Sequence, residues 1–321
     1  MKRKNNIFNN SGGTYYRSQK KSKGILITVL LVLVIGTALG LTIYKLIGED
    51  KFTSKTPIVV EPEAEEEPVP EVIEVNPEDL VENSNHIHEA SDYAYSTRDV
   101  RNWITGVEAY EGEKIAFLTF DDGPSPQNTG KILDILKEKD ASATFFTIGT
   151  SIENSNSSGD VLNRILEEGS AIALHSYTHV YEKLYPGNTA DKVFIKEEMD
   201  RLQDKIREVT GKEDFKSHVV RYPGGHMSWN GIEEADAALQ LDGIEYIDWN
   251  AMNGDSEPTA RRPKDPEALA AFVMESLVYT NVKDVIVVLM HDAENKEMTT
   301  ESLPLIIDTL RNEGYSFGIL K

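Results

Sequence analysis

Two pairs of side chains in this sequence have the types and spacing of a metal site. His175 and His179 are four residues apart, so on a helical turn both imidazoles face the same way and can share an ion. Asp121 and Asp122 follow the apolar run IAFLTF, where two adjacent carboxylates are costly unless a cation compensates their charge. The alternatives are a surface histidine pair and a turn with both carboxylates in water.

Taken together, the two pairs predict a catalytic metal site rather than a structural one. One carboxylate and two imidazoles leave coordination positions open, and the second carboxylate is free to act as a general base on water. His291 follows the apolar run VIVVLM and is placed to give a proton to a leaving group; a structural histidine is the alternative. Arg221 needs a carboxylate partner, which is either the base or a partner in an ordinary surface salt bridge.

The elements that must position these residues are visible from about residue 112 onward. Strand candidates lie at 115–120, 143–147, 171–174, 218–220, 244–247, 284–290 and 316–320, and helix candidates at 127–139, 158–168, 191–210, 230–241, 265–280 and 301–313. Strands alternating with helices predict an α/β fold with a parallel sheet, either a barrel or a doubly wound open sheet.

Polar clusters follow five of these strands directly. They are 121–124, 175–179, 221–225, 248–255 and 291–292. The carboxyl ends of parallel strands share one edge, which is where sites assemble in α/β folds. The sequence therefore predicts that the five clusters meet.

Composition excludes several classes of function. Lys and Arg number 33 and Asp and Glu 54, a net charge of −21 that disfavours non-specific nucleic-acid binding, so no nucleic-acid partner is expected. The chain has no cysteine, which excludes disulfides, thiol catalysis and cysteine-type zinc sites.

The N-terminal region predicts a membrane anchor. Residues 1–23 carry seven basic residues and no acid, and residues 24–44 have no charged side chain. This apolar run reaches the ~20 residues that span a bilayer as a helix, and the basic flank favours a cytoplasmic tail with the rest of the chain outside the cell membrane. The alternatives are a cleaved signal peptide, whose apolar region is usually shorter, and a buried core helix.

An acidic linker is expected after the anchor. Residues 49–92 contain 14 acids, two lysines and five of the 13 prolines, which is typical of an extended, disordered stalk or of a plain spacer. Within it, His86 and His88 are expected to be solvated rather than metal-bound. Residues 93–111 would lead into a domain at 112–321.

The motifs resemble those of the polysaccharide deacetylases of carbohydrate esterase family four. The matching stretches are TFDDGPS at 119–125, HSYTH at 175–179, RYPGG at 221–225, WNAMNGD at 249–255 and LMH at 289–291, in the family's order and spacing. The resemblance covers roughly residues 112–321. It implies a distorted (β/α)7 barrel and a metal-dependent enzyme.

The resemblance also implies a role for each matching residue. The metal ligands would be Asp122, His175 and His179, holding one divalent ion, usually zinc, with Co²⁺, Ni²⁺ or Mn²⁺ as alternatives. The catalytic residues would be Asp121 as base, Arg221 as its tether, His291 as acid and Asp255 as the partner of His291, with Asp248 as the competing partner. In the third motif, the N–H of Gly224 would hold the oxyanion, and Tyr222 is assigned to the same substrate contact.

The activity implied is hydrolysis of N-acetyl groups on a cell-wall glycan. Peptidoglycan N-acetylglucosamine is the first expectation, because a stalked external domain meets the wall; N-acetylmuramic acid, poly-N-acetylglucosamine, chitin oligomers and acetylated xylan are alternatives, as is a non-catalytic glycan-binding module. The family usually has Asp at position 252, Trp at 256 and often an aromatic at 224, where this chain has Met252, Ser256 and Gly224. Trp229 and Trp249 are candidates to supply the missing stacking surface.

Overall fold

A parallel sheet with helices on its outer side forms the framework of this protein. The computed structural model describes residues 75–321. The strands are β1 (Ala94–Tyr95), β2 (Ile115–Asp121), β3 (Ala143–Thr147), β4 (Ala171–Leu174), β5 (Val219–Val220), β6 (Glu245–Tyr246), β7 (Ala251–Met252), β8 (Val285–His291), β9 (Ser316–Phe317) and β10 (Ile319–Leu320). Eight of them lie close to the predicted runs, whereas β1 and β7 were not predicted.

Nine α-helices are present among the described residues. They are α1 (Thr97–Ile104), α2 (Thr129–Glu138), α3 (Gly149–Glu153), α4 (Ser158–Glu167), α5 (Tyr181–Leu184), α6 (Lys192–Thr210), α7 (Ile232–Gln240), α8 (Pro266–Ser276) and α9 (Glu297–Asn312). Short 3₁₀ helices lie at His88–Tyr93, Pro186–Asn188, His226–Ser228 and Leu277–Tyr279.

The sheet curls because its two edge strands are neighbours in the chain. Its order is β6-β5-β4-β3-β2-β8-β7, all parallel, with β9 added beside the beginning of β2. Strands β6 and β7 lie at opposite ends of this order, yet only residues 247–250 join them. The sheet must therefore curve until its edges approach each other. The predicted α/β class is confirmed, as a curled parallel sheet that forms a half-barrel with helices outside.

The two faces of the sheet have separate cores. Along β2, the side chains of Ala116, Leu118 and Phe120 face the outer helices, and those of Ile115 and Phe117 face the inside of the curl. This alternation follows from the two-residue repeat of a strand. The inner core is completed by Val100 and other apolar residues of α1 and β10, which fill the end of the curl opposite the carboxyl ends of the strands.

The predicted disordered linker is wrong for residues 75–92, which fold against the sheet. The side-chain amide of Asn85 donates to the carbonyls of Ile172 and Leu320, and Ile87 is fully buried. His86 is buried as well, not solvated, and its Nδ1 lies 2.7 Å from the hydroxyl of Ser84. Burial and the charge of the C-terminal lysine lower the pKa of His86 to about 4. The acidic composition of this segment favours disorder, but the amide contacts of Asn85 and the burial of Ile87 hold it against the sheet.

The predicted anchor at 24–44, the basic tail at 1–23 and the linker up to residue 74 lie outside the described residues. Among residues 75–321, no helix combines the length and apolar character that a membrane crossing requires.

Candidate active site

Strand alternation carries four of the predicted site residues to the inner face of the curled sheet. Asp121 is four residues after Phe117 in β2, and His291 is four residues after Val287 in β8. His175 is likewise two residues after inward-facing Ala173, and Arg221 is two after inward-facing Val219. A separation of two or four residues keeps the same face, so these polar side chains converge at the carboxyl ends of the strands. The predicted edge is confirmed as their meeting place.

Asp122, His175 and His179 form a cluster with the geometry of a metal site. The Oδ1 atom of Asp122 lies 3.6 Å from Nε2 of His175 and 3.5 Å from Nε2 of His179. The three ligand atoms all lie within 4.8 Å of one another. Asp122 and His179 have left-handed backbones, with φ of 78° and 54°. Such conformations cost free energy in non-glycine residues and cluster at functional sites.

The cluster fits a divalent cation. The Oδ1 atom of Asp122 is buried and has no hydrogen-bond partner among the described residues, an arrangement that is costly unless something compensates it. Nδ1 of His175 lies 2.8 Å from the carbonyl oxygen of Arg221, which fixes the tautomer that leaves Nε2 free as a ligand. Burial and the neighbouring His179 lower the pKa of His175 to about 3, so its imidazole is neutral, as metal ligation requires.

Asp121 and Arg221 form a fully buried ion pair. Nη1 of Arg221 donates to Oδ1 of Asp121 at 2.7 Å and to Oγ1 of Thr119 at 2.8 Å. Nε and Nη2 donate to the carbonyls of Ile247 and Asp248. Every nitrogen of the guanidinium thus donates a hydrogen bond. Arg221 holds Oδ1 of Asp121, and Oδ2 lies toward the histidine cluster, 3.8 Å from Nε2 of His175. The surface salt bridge considered for Arg221 is excluded, because its side chain is 0 % exposed.

His291 and Asp255 form a second buried pair, on the neighbouring strand. Nδ1 of His291 lies 2.8 Å from Oδ1 of Asp255, and the other carboxylate oxygen accepts from the N–H of His291 and the hydroxyl of Thr299. Burial acts to lower the pKa of His291, but the Asp255 carboxylate outweighs it and raises the pKa above its usual value. Burial acts to raise the pKa of Asp255, and His291 outweighs it in the opposite direction. The pair favours the imidazolium–carboxylate form.

Asp248 is not the partner of His291. Both its carboxylate oxygens lie 3.1 Å from the N–H of His226, at the other side of the site. Burial is the main cause that raises the pKa of Asp248. Asp255 is therefore the partner of His291, because it contacts the imidazole and Asp248 contacts His226 instead.

The two residues that were assigned to the oxyanion contact, Gly224 and Tyr222, both follow β5 and differ in exposure. Gly224 is exposed, and within residues 75–321 no acceptor takes its N–H. The side chain of Tyr222 is 1 % exposed and its hydroxyl donates to Oδ1 of Asp236 at 2.9 Å. The assignment of Tyr222 to a substrate contact is therefore wrong for its side chain, since alternation turns it away from the face that Arg221 occupies.

Two residues around the site had no role in the sequence-based interpretation. Thr119 links Arg221 to β8, because its hydroxyl donates to the carbonyl of Val288 while accepting from the guanidinium. Asp292 is 1 % exposed and accepts from the hydroxyl of Thr129, and its Oδ1 has no partner among the described residues. Burial, aided by the charges of the neighbouring aspartates, raises the pKa of Asp292 to about 7. The only sequence signal for either was a polar residue in or next to an apolar strand.

The fold and the site define an α/β protein with a candidate metal site at the carboxyl edge of its parallel sheet. Comparisons with known proteins identify the family. The family model for polysaccharide deacetylase matches residues 109–241. Two peptidoglycan-N-acetylglucosamine deacetylases of Bacillus cereus are similar: one is 31% identical, covering 64% of this chain and 68% of the relative, and the other is 30% identical, covering 65% and 88%.

Solved structures agree with the sequence comparisons. A CE4 esterase of Streptococcus mutans is 42% identical, with a TM-score of 0.72, covering 77% of this chain and 100% of that one. The polysaccharide deacetylase Bc1974 of Bacillus cereus is 31% identical, with a TM-score of 0.52, covering 64% and 91%. The chain therefore belongs to the polysaccharide deacetylase family. The members of this family are hydrolases that act on amide bonds.

Proposed function

We propose that this protein removes N-acetyl groups from a cell-wall glycan in a metal-dependent hydrolysis, and that its substrate is N-acetylglucosamine of peptidoglycan. One observation carries the proposal: a carboxylate and an imidazole suited to base and acid roles flank the Asp122, His175 and His179 cluster. Asp121 and His291 are direct partners in the ladder between β2 and β8. Amide hydrolysis needs both groups, because water must lose a proton and the amine must gain one.

Asp122, His175 and His179 would hold the divalent cation. When bound, such an ion lowers the pKa of water and polarises a carbonyl oxygen. Zinc suits a donor set of two imidazoles and one carboxylate. The side chain of His175 is buried, whereas those of Asp122 and His179 are 27 % and 26 % exposed, so the cluster remains accessible from the solvent side of the site.

Asp121 is the general base in this proposal. Arg221 holds its Oδ1, so the carboxylate stays oriented while Oδ2 accepts a proton from the attacking water. The new bond forms between the water oxygen and the acetyl carbon. General bases of this kind typically contribute about 10²–10⁴-fold in rate.

His291 is the general acid. Its Nδ1 is bound to Asp255, so Nε2 is the nitrogen free to give a proton to the departing amine as the carbon–nitrogen bond breaks. The raised pKa of His291 favours its protonated form, which the role requires. The products are acetate and a free sugar amine.

The N–H of Gly224 is the proposed donor to the oxyanion. A backbone N–H already aimed at the developing charge costs no reorganisation, and a donor of this kind is worth on the order of 3 kcal/mol in other acyl-transfer enzymes. A glycine at this position leaves the donor accessible, because no Cβ shields it.

The choice of peptidoglycan rests on the relatives and on the N-terminal sequence. Two of the relatives are named peptidoglycan-N-acetylglucosamine deacetylases. We further propose that residues 24–44 anchor the chain in membrane lipid with the enzyme outside, where the wall is its first accessible glycan. Labelling of residues 75–321 by a membrane-impermeant amine reagent on intact cells tests this orientation, and protection of those residues would contradict it.

Mass spectrometry of muropeptides treated with the full-length, zinc-loaded chain tests the activity. Loss of one acetyl mass from the N-acetylglucosamine residue, with matching acetate release, is the expected result. Asp121→Asn should abolish the loss, whereas Asp308→Asn, at a surface ion pair with Lys139, should not. Loss of acetyl from N-acetylmuramic acid would change the proposed substrate, and no loss from any glycan would contradict the proposed function.

A further inference from the structure

Helix α6 carries a buried charge at a position where its pattern calls for an apolar residue. Glu198 lies three residues after Ile195 and four before Leu202, and both of those side chains are fully buried. This spacing is typical of the apolar stripe by which a helix packs on a core. Glu198 itself is only 4 % exposed. Burial of a carboxylate costs free energy unless hydrogen bonds compensate it, so the partners of Glu198 explain why it is there.

The carboxylate of Glu198 contacts the loop that carries the two histidines, residues 175–179. Its Oε2 accepts the backbone N–H of Thr178 at 2.6 Å and the side-chain hydroxyl of Thr178 at 2.8 Å. The two hydrogen bonds fix both the backbone and the side chain of the residue directly before His179. We call these two contacts the Glu198 clamp.

The loop depends on contacts of this kind because it is not a regular helical turn. Ser176 and His179 have left-handed backbones, with φ of 70° and 54°, which residues with side chains rarely adopt. One local hydrogen bond, from the N–H of His179 to Oγ of Ser176 at 2.9 Å, spans the loop. Backbone preference alone therefore does not hold the imidazole of His179 beside that of His175.

The two halves of the loop are held by different elements. In the first half, two backbone N–H groups of α3 donate to the carbonyls of Ser176 and Tyr177, at 3.3 and 2.8 Å. These bonds are made by the backbone and do not require a particular side chain. In the second half, the Glu198 clamp ties Thr178 to α6. The position of the second histidine thus depends on one side chain that lies outside the loop.

We propose that Glu198 is a positioning residue for the metal site, which holds Thr178 so that the imidazole of His179 can bind the same cation as Asp122 and His175. The inference rests on the proposed function, because that function assigns the cation to these three side chains. Oδ1 of Asp122 lies 3.5 Å from Nε2 of His179, so a shift of the loop changes the spacing of the ligand atoms directly. Side chains that orient metal ligands typically alter metal affinity by about 10–100-fold when they are removed.

Calorimetric titration of the full-length chain with zinc, in competition with a chelator, measures the contribution of Glu198. Glu198→Ala is expected to raise the Kd for zinc by roughly 10–100-fold. Glu198→Gln should raise it less, because the amide oxygen still accepts a hydrogen bond from Thr178. Thr178→Val removes the hydroxyl contact and keeps the N–H, so its Kd should lie between those of the wild-type chain and Glu198→Ala. If Glu198→Ala does not fold, the other two variants provide the same comparison.

A double-mutant cycle distinguishes the clamp from a general loss of packing. Thr178→Val should have no further effect on the Kd in a chain that already carries Glu198→Ala, because the hydroxyl has then lost its partner. Additive effects would overturn the inference. Glu197→Ala is the matched control, since Glu197 is the neighbouring residue of the same helix and is exposed. It should leave the Kd for zinc unchanged.

A purely structural role for Glu198 predicts a different result. Glu198→Ala would then lower the Tm of the metal-free chain and leave the Kd for zinc unchanged, which would overturn the inference. His179→Ala in the same titration shows which proposal has failed. If His179→Ala loses zinc and Glu198→Ala does not, the metal site stands and the role of Glu198 fails. If Glu198→Ala weakens zinc binding but the wild-type chain releases no acetate from any glycan, only the proposed function fails.

Discussion

Nη1 of Arg221 lies 2.7 Å from Oδ1 of Asp121, although the two residues are 100 positions apart in the chain. Both side chains are buried, and the guanidinium also lies 4.1 Å over the ring of Phe146. The guanidinium does not bind the carboxylate in a bidentate way; four of its N–H donors are instead spread over Asp121, Thr119 and two backbone carbonyls. The pair fixes the carboxylate of the proposed general base and ties β2 to the segment that follows β5.

Loss of this arginine should be strongly destabilising. Arg221→Met leaves the carboxylate of Asp121 buried without its partner, so the free energy of unfolding should fall by about 3–5 kcal/mol. Denaturant titration of the full-length chain measures this. Lys192→Met is the control, because its ion pair with Glu234 is exposed on both sides, 50 % and 70 %, and such a pair is worth only about 0–1 kcal/mol. Equal effects of the two substitutions would contradict the importance assigned to burial.

Asp255→Asn should shift the alkaline limb of the pH–rate profile to lower pH. The Asp255 carboxylate is what outweighs burial and raises the pKa of His291, so its neutralisation lets burial lower that pKa. The acid then loses its proton at a lower pH. The pH dependence of kcat/KM for acetate release measures the shift. An unmoved alkaline limb would show that His291 is not the general acid.

The same pair should make stability depend on pH in two directions. The pKa of Asp255 is lowered, so its contribution is present above its unfolded pKa of about 3.9 and is lost as pH falls through the folded value. The pKa of His291 is raised, so its contribution is present below its unfolded pKa of about 6.5 and is lost as pH rises through the folded value. Denaturant titration from pH 3 to 9 should show that the stability difference between the wild-type chain and His291→Gln is largest in the middle of this range and shrinks at both ends.

Divalent metal should stabilise the protein through Asp122 and the two histidines. At a free zinc concentration of about 100 times Kd, binding to the folded state adds about 2.7 kcal/mol, which raises Tm. Calorimetric scans after chelation and after addition of zinc measure the difference. His175→Ala should abolish it, while His218→Ala should not, because among the described residues the half-buried His218 ring hydrogen-bonds to the backbone carbonyls of Gly243 and Asn83. A zinc shift that survives His175→Ala would place the ion elsewhere.

Asp292→Asn should stabilise the metal-free protein at alkaline pH. Burial raises the pKa of Asp292 to about 7, far above its unfolded value of about 3.9. The folded state therefore binds a proton that the unfolded state releases, and stability falls as pH rises between these values. The amide keeps an acceptor for the hydroxyl of Thr129 without a buried charge. A larger gain in Tm at pH 8 than at pH 5 is expected, and equal gains at both would contradict the charge argument.

Much of the site was predictable because local chain geometry encodes it. An apolar strand such as β2 must be buried, and the polar residues at its carboxyl end must then lie at the sheet edge. The imidazoles of His175 and His179 do come together, but in an irregular loop with left-handed backbone at Ser176 and His179, not on the helical turn that their four-residue spacing predicted. The order of the motifs along the chain resembled that of the polysaccharide deacetylases, and the comparisons with known proteins showed that family.

Other features depended on contacts between distant parts of the chain. Asp255 and Asp248 are both carboxylates in one short segment, and only the path of the backbone through β7 takes Asp255 to His291. Tyr222 has the same local setting as Arg221 but faces the opposite side of the sheet. Residues 75–92 look like the linker that precedes them until Asn85 and Ile87 are seen in contact with the sheet.

The sequence alone determined the parallel α/β class, the metal ligands as candidates and the edge at which they meet, since these follow from strand alternation and residue spacing. The tertiary structure decided which buried charges pair, that Trp229 fills the space beside Gly224, and that Asp292 is buried next to the site. Burial and pairing depend on the packing of segments far apart in the chain, and no local pattern specifies that packing.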